Sequence, residues 1–253
     1  MIQLKNAQEL AKMRRACQIS AEALKLGGRS IEAGMTTADL DKIIYDYIKR
    51  HGARPNFKGL YGFPGTACIS INDEVIHGIP SHSRQIRPGD IVSIDTGAAI
   101  NGFNGDNACT FPCGKVDIEA QRLMDVTKES LHRGIAAAVA GNRVGDIGHA
   151  VQSYVEENGF SVVRSFVGHG VGNELHEDPE VPNYGHAGHG VRLVNGMTIA
   201  IEPMVNQKHH SVKTLSDGWT VVTADGGLAA HFEHSIAILP GGPEILTIGW
   251  EEP

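Results

Sequence analysis

Apolar residues recur at helical spacing through residues 6–26, at Leu10, Met13, Ile19, Ala23 and Leu26, with the polar Asn6 ahead of them. That pattern predicts an amphipathic helix whose end is weakened by Gly27 and Gly28. A second helix is expected from the cap residue Thr37 through Leu40, Ile43, Ile44, Tyr47 and Ile48, stopping at Gly52. Residues 55–66 break the periodicity with Gly and Pro, and interleave the aromatics Phe57, Tyr61 and Phe63. The runs ACISIN and EVIHGIP then read as strands joined by the turn residues Asn72 and Asp73. Later apolar runs read as buried strands, and each carries an acid at one end. Ile91, Val92 and Ile94 lead to Asp95, Thr198 to Ile201 lead to Glu202, and Glu233, between Phe232 and His234, heads a third.

The pattern repeats. Residues 22–52 align without a gap on residues 129–159, with identities that include Glu22 and Glu129, Gly27 and Gly134, Gly34 and Gly141, Asp39 and Asp146, Tyr47 and Tyr154, and Gly52 and Gly159. The same offset carries Gly89 onto Gly196 and Asp95 onto Glu202. Two copies of a helix, helix, strand unit are expected, in halves of about 4–111 and 118–248 within one catalytic domain spanning 1–253. The connection Pro112 to Asp117 is too short for a linker between independent domains. Duplicated units commonly pack about a pseudo-two-fold axis, and a site at their interface draws ligands from both.

Composition narrows the function. At 253 residues and 41% hydrophobic, the chain can bury a large core. A net charge of -7 with no cationic run leaves no footprint for nucleic acid. Cys17, Cys68, Cys109 and Cys113 lack zinc-ribbon spacing and are expected as reduced thiols. The charged start MIQLKNAQELAKMRRA does not suit a signal peptide, and no stretch is long or apolar enough to span a bilayer. A cytoplasmic protein without a membrane partner is expected.

The acids carry the chemistry. A buried anion without a partner costs several kcal/mol, comparable to a small domain's whole stability. No Lys or Arg lies between Arg87 and Lys115, so Asp95 and Asp106 need either a distant basic side chain or a bound cation. With Glu202, Glu233 and the glycine-flanked histidines of GHGVG and LHEDP, these acids are raw material for an oxygen-rich metal site. Carboxylates with an imidazole suit divalent Mn, Fe, Co or Zn. Four carboxylates exceed the needs of one ion, whereas two ions about 3.5–4 Å apart share bridging carboxylates and activate water for hydrolysis. Each residue alone has a plainer reading: Asp95 as a cap, Asp106 as a turn acid, His77 as a turn histidine, Cys68 as a small hydrophobe, Trp219 as strand packing. GHGVG lacks the lysine of a phosphate loop, and His176-Glu177 lacks the second histidine of a zinc-protease helix. Their joint occurrence in one order is what defeats the separate readings.

In that order the motifs IDTG, GDNA, GHGVG, AIEPM and FEHS, from about residue 4 to residue 248, resemble those of the type I methionine aminopeptidases. The resemblance implies an α+β pita-bread fold, an antiparallel sheet backed by helices in two pseudo-symmetric halves. It implies that Asp95 chelates one metal, that His169 and Glu202 bind the other, and that Asp106 and Glu233 bridge them. It places His77 near the scissile amide, His176 by the carbonyl oxygen of the tetrahedral intermediate, and Glu202 as proton relay. A methionine pocket of Phe57, Leu60, Phe63, Cys68, Leu175 and Trp219 follows, with leucine at 60 and 175 where an aromatic is commoner. His231 stands where an amide side chain is expected. The implied substrates are nascent polypeptide N-termini and short peptides beginning with Met, and transient ribosome contact is an implication of the family alone. Two other functions compete: cleavage beside proline by the same fold, and a metal-free module that binds peptides or ribosomal surfaces without cleaving them.

Overall fold

The computed structural model describes residues 2–250. Helix α1 spans Ala7–Arg29 and is capped by Asn6, whose side chain accepts from the backbone N–H groups of Gln8 and Glu9. It runs past the glycines expected to weaken its end, because they serve packing. A Cβ on Gly28 would stand 2.3 Å from the Phe111 ring, and one on Gly27 would stand 3.0 Å from Ile44 Cδ1. Helix α2 spans Thr37–Arg50, and its cap is Thr36 rather than Thr37. Thr37 is buried in the first turn, where its hydroxyl bonds the carbonyl of Ser81. Helices α3, Ile118–Ala137, and α4, Val144–Glu157, form the second pair.

The helices back a nine-stranded sheet, and the class is α+β as expected. Its central path runs Arg54–Pro55, Ile91–Ile100, Phe103–Pro112, Glu233–Leu239, Thr198–Ile201, Gly168–Gly170 and Glu177–Val181, every pairing antiparallel. The middle pairing, Glu233 on Ala108 and His234 on Asn107, joins a strand of the first half to one of the second. Two expectations are corrected here. Asp95 lies midway along its strand, because Thr96–Ile100 continue the ladder against Phe103–Asn107. The run EVIHGIP is a strand only over Glu74–Ile76, since His77 adopts a left-handed φ of 59°. That short strand pairs with Val221–Thr223 in a smaller sheet, whereas Ala67–Ile71 pairs with Ile91–Ile100 in the large one.

The sequence offset reappears as geometry. Asp39 accepts from the Thr36 N–H at 3.1 Å and Asp146 from the Arg143 N–H at 2.7 Å, closing the first turns of α2 and α4 alike. Isolated β-bridges join Thr36 to Gln85 and Arg143 to Arg192. Gly27 faces Ile44 as Gly134 faces Val151. One core cluster contains Leu24, Ile44 and Ile94 together with Leu131, Val151 and Ile201. Burial of such side chains at about 1.5–3 kcal/mol each holds the helix pairs on the sheet. Among the described residues, no helix is long and apolar enough to cross a membrane.

Candidate metal centre

The five expected ligands reach one cavity of about 530 Å³ from five strands or strand ends. Asp95 and Asp106 come from the neighbouring strands Ile91–Ile100 and Phe103–Pro112. Asp106 is fixed through its backbone, whose carbonyl accepts from Ser235 Oγ at 2.8 Å and whose N–H donates back at 3.2 Å. Glu233 begins the adjacent strand, and Glu202 follows the end of Thr198–Ile201. Asn183 Nδ2 donates to the Glu202 carbonyl at 3.0 Å.

His169 sits on the short strand Gly168–Gly170, between Thr198–Ile201 and Glu177–Val181. Its flanking glycines permit that closeness and make no phosphate cradle. A Cβ on Gly168 would lie 2.3 Å from the Ala200 carbonyl oxygen, and one on Gly170 would lie 2.2 Å from that of Asp178. The ring is oriented by its Nδ1, which donates to the Gly170 carbonyl at 2.8 Å. That bond leaves the Nε2 lone pair facing the acids, 3.5 Å from Glu202 Oε1 and 3.7 Å from Asp106 Oδ2. Burial, and then the neighbouring His176, lowers the His169 pKa to about 4, so the ring is a neutral donor near pH 7.

The acids have no protein cation. Among the described residues, no Lys or Arg pairs with Asp95, Asp106, Glu202 or Glu233, and the charges that act on their protonation come from acids and a thiol. Burial raises all four pKa values, and mutual repulsion adds to it at Asp95, Glu202 and Glu233. Asp106, relieved partly by the Asn107 N–H, is pushed up to about 7. Buried Asp95 Oδ1, Asp106 Oδ1 and Glu233 Oε1 have no hydrogen-bond partner. Such a group must hold either protons or cations. Ligand atoms of Asp106, His169 and Glu233 lie within 4.8 Å of one another, a spacing a metal ion spans. Glu202 joins that set through its contact with His169, and Asp95 through its coupling to Asp106. Orphaned carboxylate oxygens and a tautomer-fixed imidazole fit divalent cations.

The accessory residues line the same cavity. His77 is held in its left-handed turn, a conformation that costs a non-glycine residue about 1–3 kcal/mol. Its ring meets Phe166 edge-on at 5.7 Å and Trp219 at 6.5 Å, and burial followed by repulsion from His176 lowers its pKa to about 4. His176 is exposed and stands edge-on to His169 at 4.5 Å. Phe57, Phe63, Cys68 and Leu175 form a small apolar cluster, with Leu60, Ile79 and Trp219 packed against it. Phe63 meets Trp219 at 5.1 Å. Leu175 is in this cluster but is not a lining residue of the cavity, so it supports the wall from behind.

Sequence reasoning overlooked four contributors. Phe166 and Ile76 line the cavity beside His77. Lys5 forms a buried ion pair with Glu177, next to His176, and its own N–H donates to the Gly196 carbonyl at 2.7 Å. Asn104 donates to the carbonyls of Gly172 and Asn173, both at 2.9 Å, so the loop that carries His176 is pinned from two sides. Only a pairing pattern between Lys5 and the LHEDP run could have revealed the Lys5–Glu177 pair.

Comparison with known proteins extends these findings. The sequence profile of metallopeptidase family M24 matches residues 11–240. A methionine aminopeptidase of Clostridium perfringens is 55% identical, over 98% of this chain and 99% of its own. The crystal structure of the Thermotoga maritima methionine aminopeptidase superposes with a TM-score of 0.96 at 45% identity, covering 98% of this chain and 99% of that one. The prolidase of Pyrococcus furiosus superposes with a TM-score of 0.80 at 24% identity, over 97% of this chain and 65% of its own, which shows a shared fold. The architecture is the pita-bread fold expected from the motifs.

Proposed function

The chain belongs to metallopeptidase family M24, and from that premise we propose how its cavity removes an N-terminal methionine. It is a metal-dependent aminopeptidase, a hydrolase. The observation that carries this reading is the set of buried carboxylates with no basic partner, facing the lone pair of His169.

Two divalent ions, Mn, Fe, Co or Zn, suit the donor set: Asp95 would chelate one, His169 and Glu202 the other, with Asp106 and Glu233 between them. When bound, such a pair supplies Lewis acidity toward a carbonyl and brings the pKa of water near neutrality. The chain's own residues do the rest. Glu202, just past the end of its strand, would take up the proton that the attacking water gives up and pass it to the leaving amine. His176, which lines the cavity and whose pKa is lowered by partial desolvation, donates toward the carbonyl oxygen as negative charge develops there. His77, locked by its backbone turn, aligns the scissile amide and the substrate amino end. Phe57, Phe63, Cys68 and Trp219 offer the apolar wall that a thioether side chain needs, Leu60 leaves it less aromatic, and Leu175 packs behind it. A charged side chain entering that wall would lose its hydration without a counter-charge, which favours methionine.

Residues 1–253 would act as one catalytic domain with halves of about 4–111 and 118–248, supported by the shared core cluster; residues 1 and 251–253 lie outside the described structure. Polypeptides begin with methionine where they are made, so we place the reaction in the cytoplasm, on nascent N-termini and short Met-peptides, with transient contact at the ribosome. The test is methionine release from Met-Ala-X and Met-Gly-X peptides, against X-Pro peptides, by chelator-treated protein re-supplied with each ion in turn. Metal-dependent release from the Met peptides alone is expected. Inactivity with every ion, or preference for X-Pro, would overturn the reading.

A further inference from the structure

His231 has no role in the reading above, yet its side chain is 2% exposed and its Nε2 has no hydrogen-bond partner. An unpaired buried ring nitrogen costs about 1–3 kcal/mol, a large fraction of a domain's net stability. The backbone leaves the ring little choice of place. Thr110 Oγ1 accepts from the His231 N–H at 2.9 Å and donates to its carbonyl at 3.0 Å, and His231 is paired with Met204 across the strands Ala229–His231 and Met204–Asn206. Met204 is two residues from Glu202, so the ring is carried to the outer side of that carboxylate. The two Glu202 oxygens are thereby divided between two imidazoles. Oε1 lies 3.5 Å from His169 Nε2, and Oε2 lies 3.9 Å from His231 Nε2.

The two imidazoles are not equivalent. His169 Nδ1 is occupied by the Gly170 carbonyl, so its Nε2 carries a lone pair and cannot donate to Glu202. His231 is free to carry its proton on Nε2. A carboxylate that binds a cation through one oxygen needs a donor on the other to hold its plane, and such outer partners commonly matter 10- to 100-fold for metal affinity. We infer that His231 is a positioning residue for Glu202: its Nε2–H donates to Oε2 when Oε1 binds a divalent ion, fixing the carboxylate's orientation. The separation then closes from 3.9 Å to the roughly 2.9 Å of an N–H···O bond. One hydrogen bond satisfies the orphaned nitrogen and orients the ligand. The inference rests on the two-ion reading of the site.

The test is Co(II) binding by the full-length, chelator-treated chain, followed by titration calorimetry and by the visible d–d spectrum. Wild type is expected to take up two equivalents. His231→Gln replaces the imidazole N–H with an amide donor and is expected to retain affinity within about threefold, with an unchanged spectrum. His231→Leu is expected to lose roughly 10- to 100-fold at one of the two equivalents. Undiminished binding by H231L would make His231 a bystander and overturn the inference. A spectrum altered in H231Q would make His231 a direct ligand and overturn it too. Because H231L removes a core group, a second measurement stands on the wild type alone. In the Zn(II)-loaded chain, the long-range proton–nitrogen spectrum should place the His231 proton on Nε2, and a proton on Nδ1 would overturn the inference. A wild-type chain that takes up no Co(II) would instead sink the two-ion reading, and this inference with it.

Discussion

The two halves of the chain share a scaffold and divide the chemistry. Helices α2 and α4 begin with the same reciprocal aspartate bond, and the same glycine in α1 and α3 receives an aliphatic side chain from the following helix. At the site the likeness thins. The offset that superposes the scaffolds also superposes Asp95 on Glu202, but it places Lys213 opposite Asp106 and Gly62 opposite His169. The duplicated positions supply rigidity and the acid pair Asp95 and Glu202, whereas Asp106, His169, Glu233 and the accessory histidines of the proposed site are not matched across the halves. Acids from both halves are brought together by the pairing of Glu233 with Ala108, where the two sheets of the halves become one.

That division can be broken at its most loaded point. Asp106→Asn removes a first-half carboxylate that stands 3.7 Å from the second half's His169. Turnover should fall by more than the 10²- to 10³-fold typical of losing a single oxyanion donor, with bound metal lost as well. Near-normal turnover would remove Asp106 from the centre. His176→Ala tests the other half's contribution. It should lower kcat by about 10²- to 10³-fold while metal content measured by elemental analysis stays unchanged. Loss of metal in that variant would assign His176 a ligand role instead.

Much of this division was legible in the sequence, and what escaped has physical reasons. Acids at the edges of apolar runs stood out because a lone buried anion is so costly, and Glu202 and Glu233 do flank strands where the pattern put them. Asp95 was misplaced to a strand end because small residues after it, Gly97 to Ala99, carry little β signal and are held in the ladder by their partners. Gly27 and Gly28 were misread as helix weakening because local propensity cannot see Phe111 and Ile44 arriving from distant segments. Thr36 and Thr37 are equally good caps by type, and only the buried bond of Thr37 to Ser81 separates them. The Lys5–Glu177 pair links the first residues to the middle of the chain, beyond any periodicity.

Protonation sets the acidic centre apart from the rest of the fold. In the metal-free chain the raised carboxyls bind more protons folded than unfolded, so their contribution to stability is present below the ordinary carboxylate range near 4 and is lost as pH rises through their folded values. Chelated protein should therefore melt at lower temperature as pH rises from about 5 to about 8, through the value near 7 to which Asp106 is pushed. Metal-loaded protein should show the opposite trend, since protons compete with the ions for the same oxygens. Parallel melting curves with and without chelator would contradict this.

The shared scaffold responds more mildly. Gly27→Ala and Gly134→Ala place a methyl 3.0 Å from Ile44 Cδ1 and 2.8 Å from Val151 Cγ2. Each should cost about 1–3 kcal/mol in urea unfolding, by similar amounts in the two halves, with turnover at low temperature preserved. A cost in one half alone would show that the scaffold is not equally duplicated.

The central claim is that buried carboxylates from both halves are held together by a pair of dications. Anomalous diffraction from crystals of the chain grown in Mn(II) tests it most directly. Two peaks are expected in the cavity, about 3.5–4 Å apart as in other two-metal sites, among Asp95, Asp106, His169, Glu202 and Glu233. No peak there, or acids turned outward to lysine or arginine, would contradict the account.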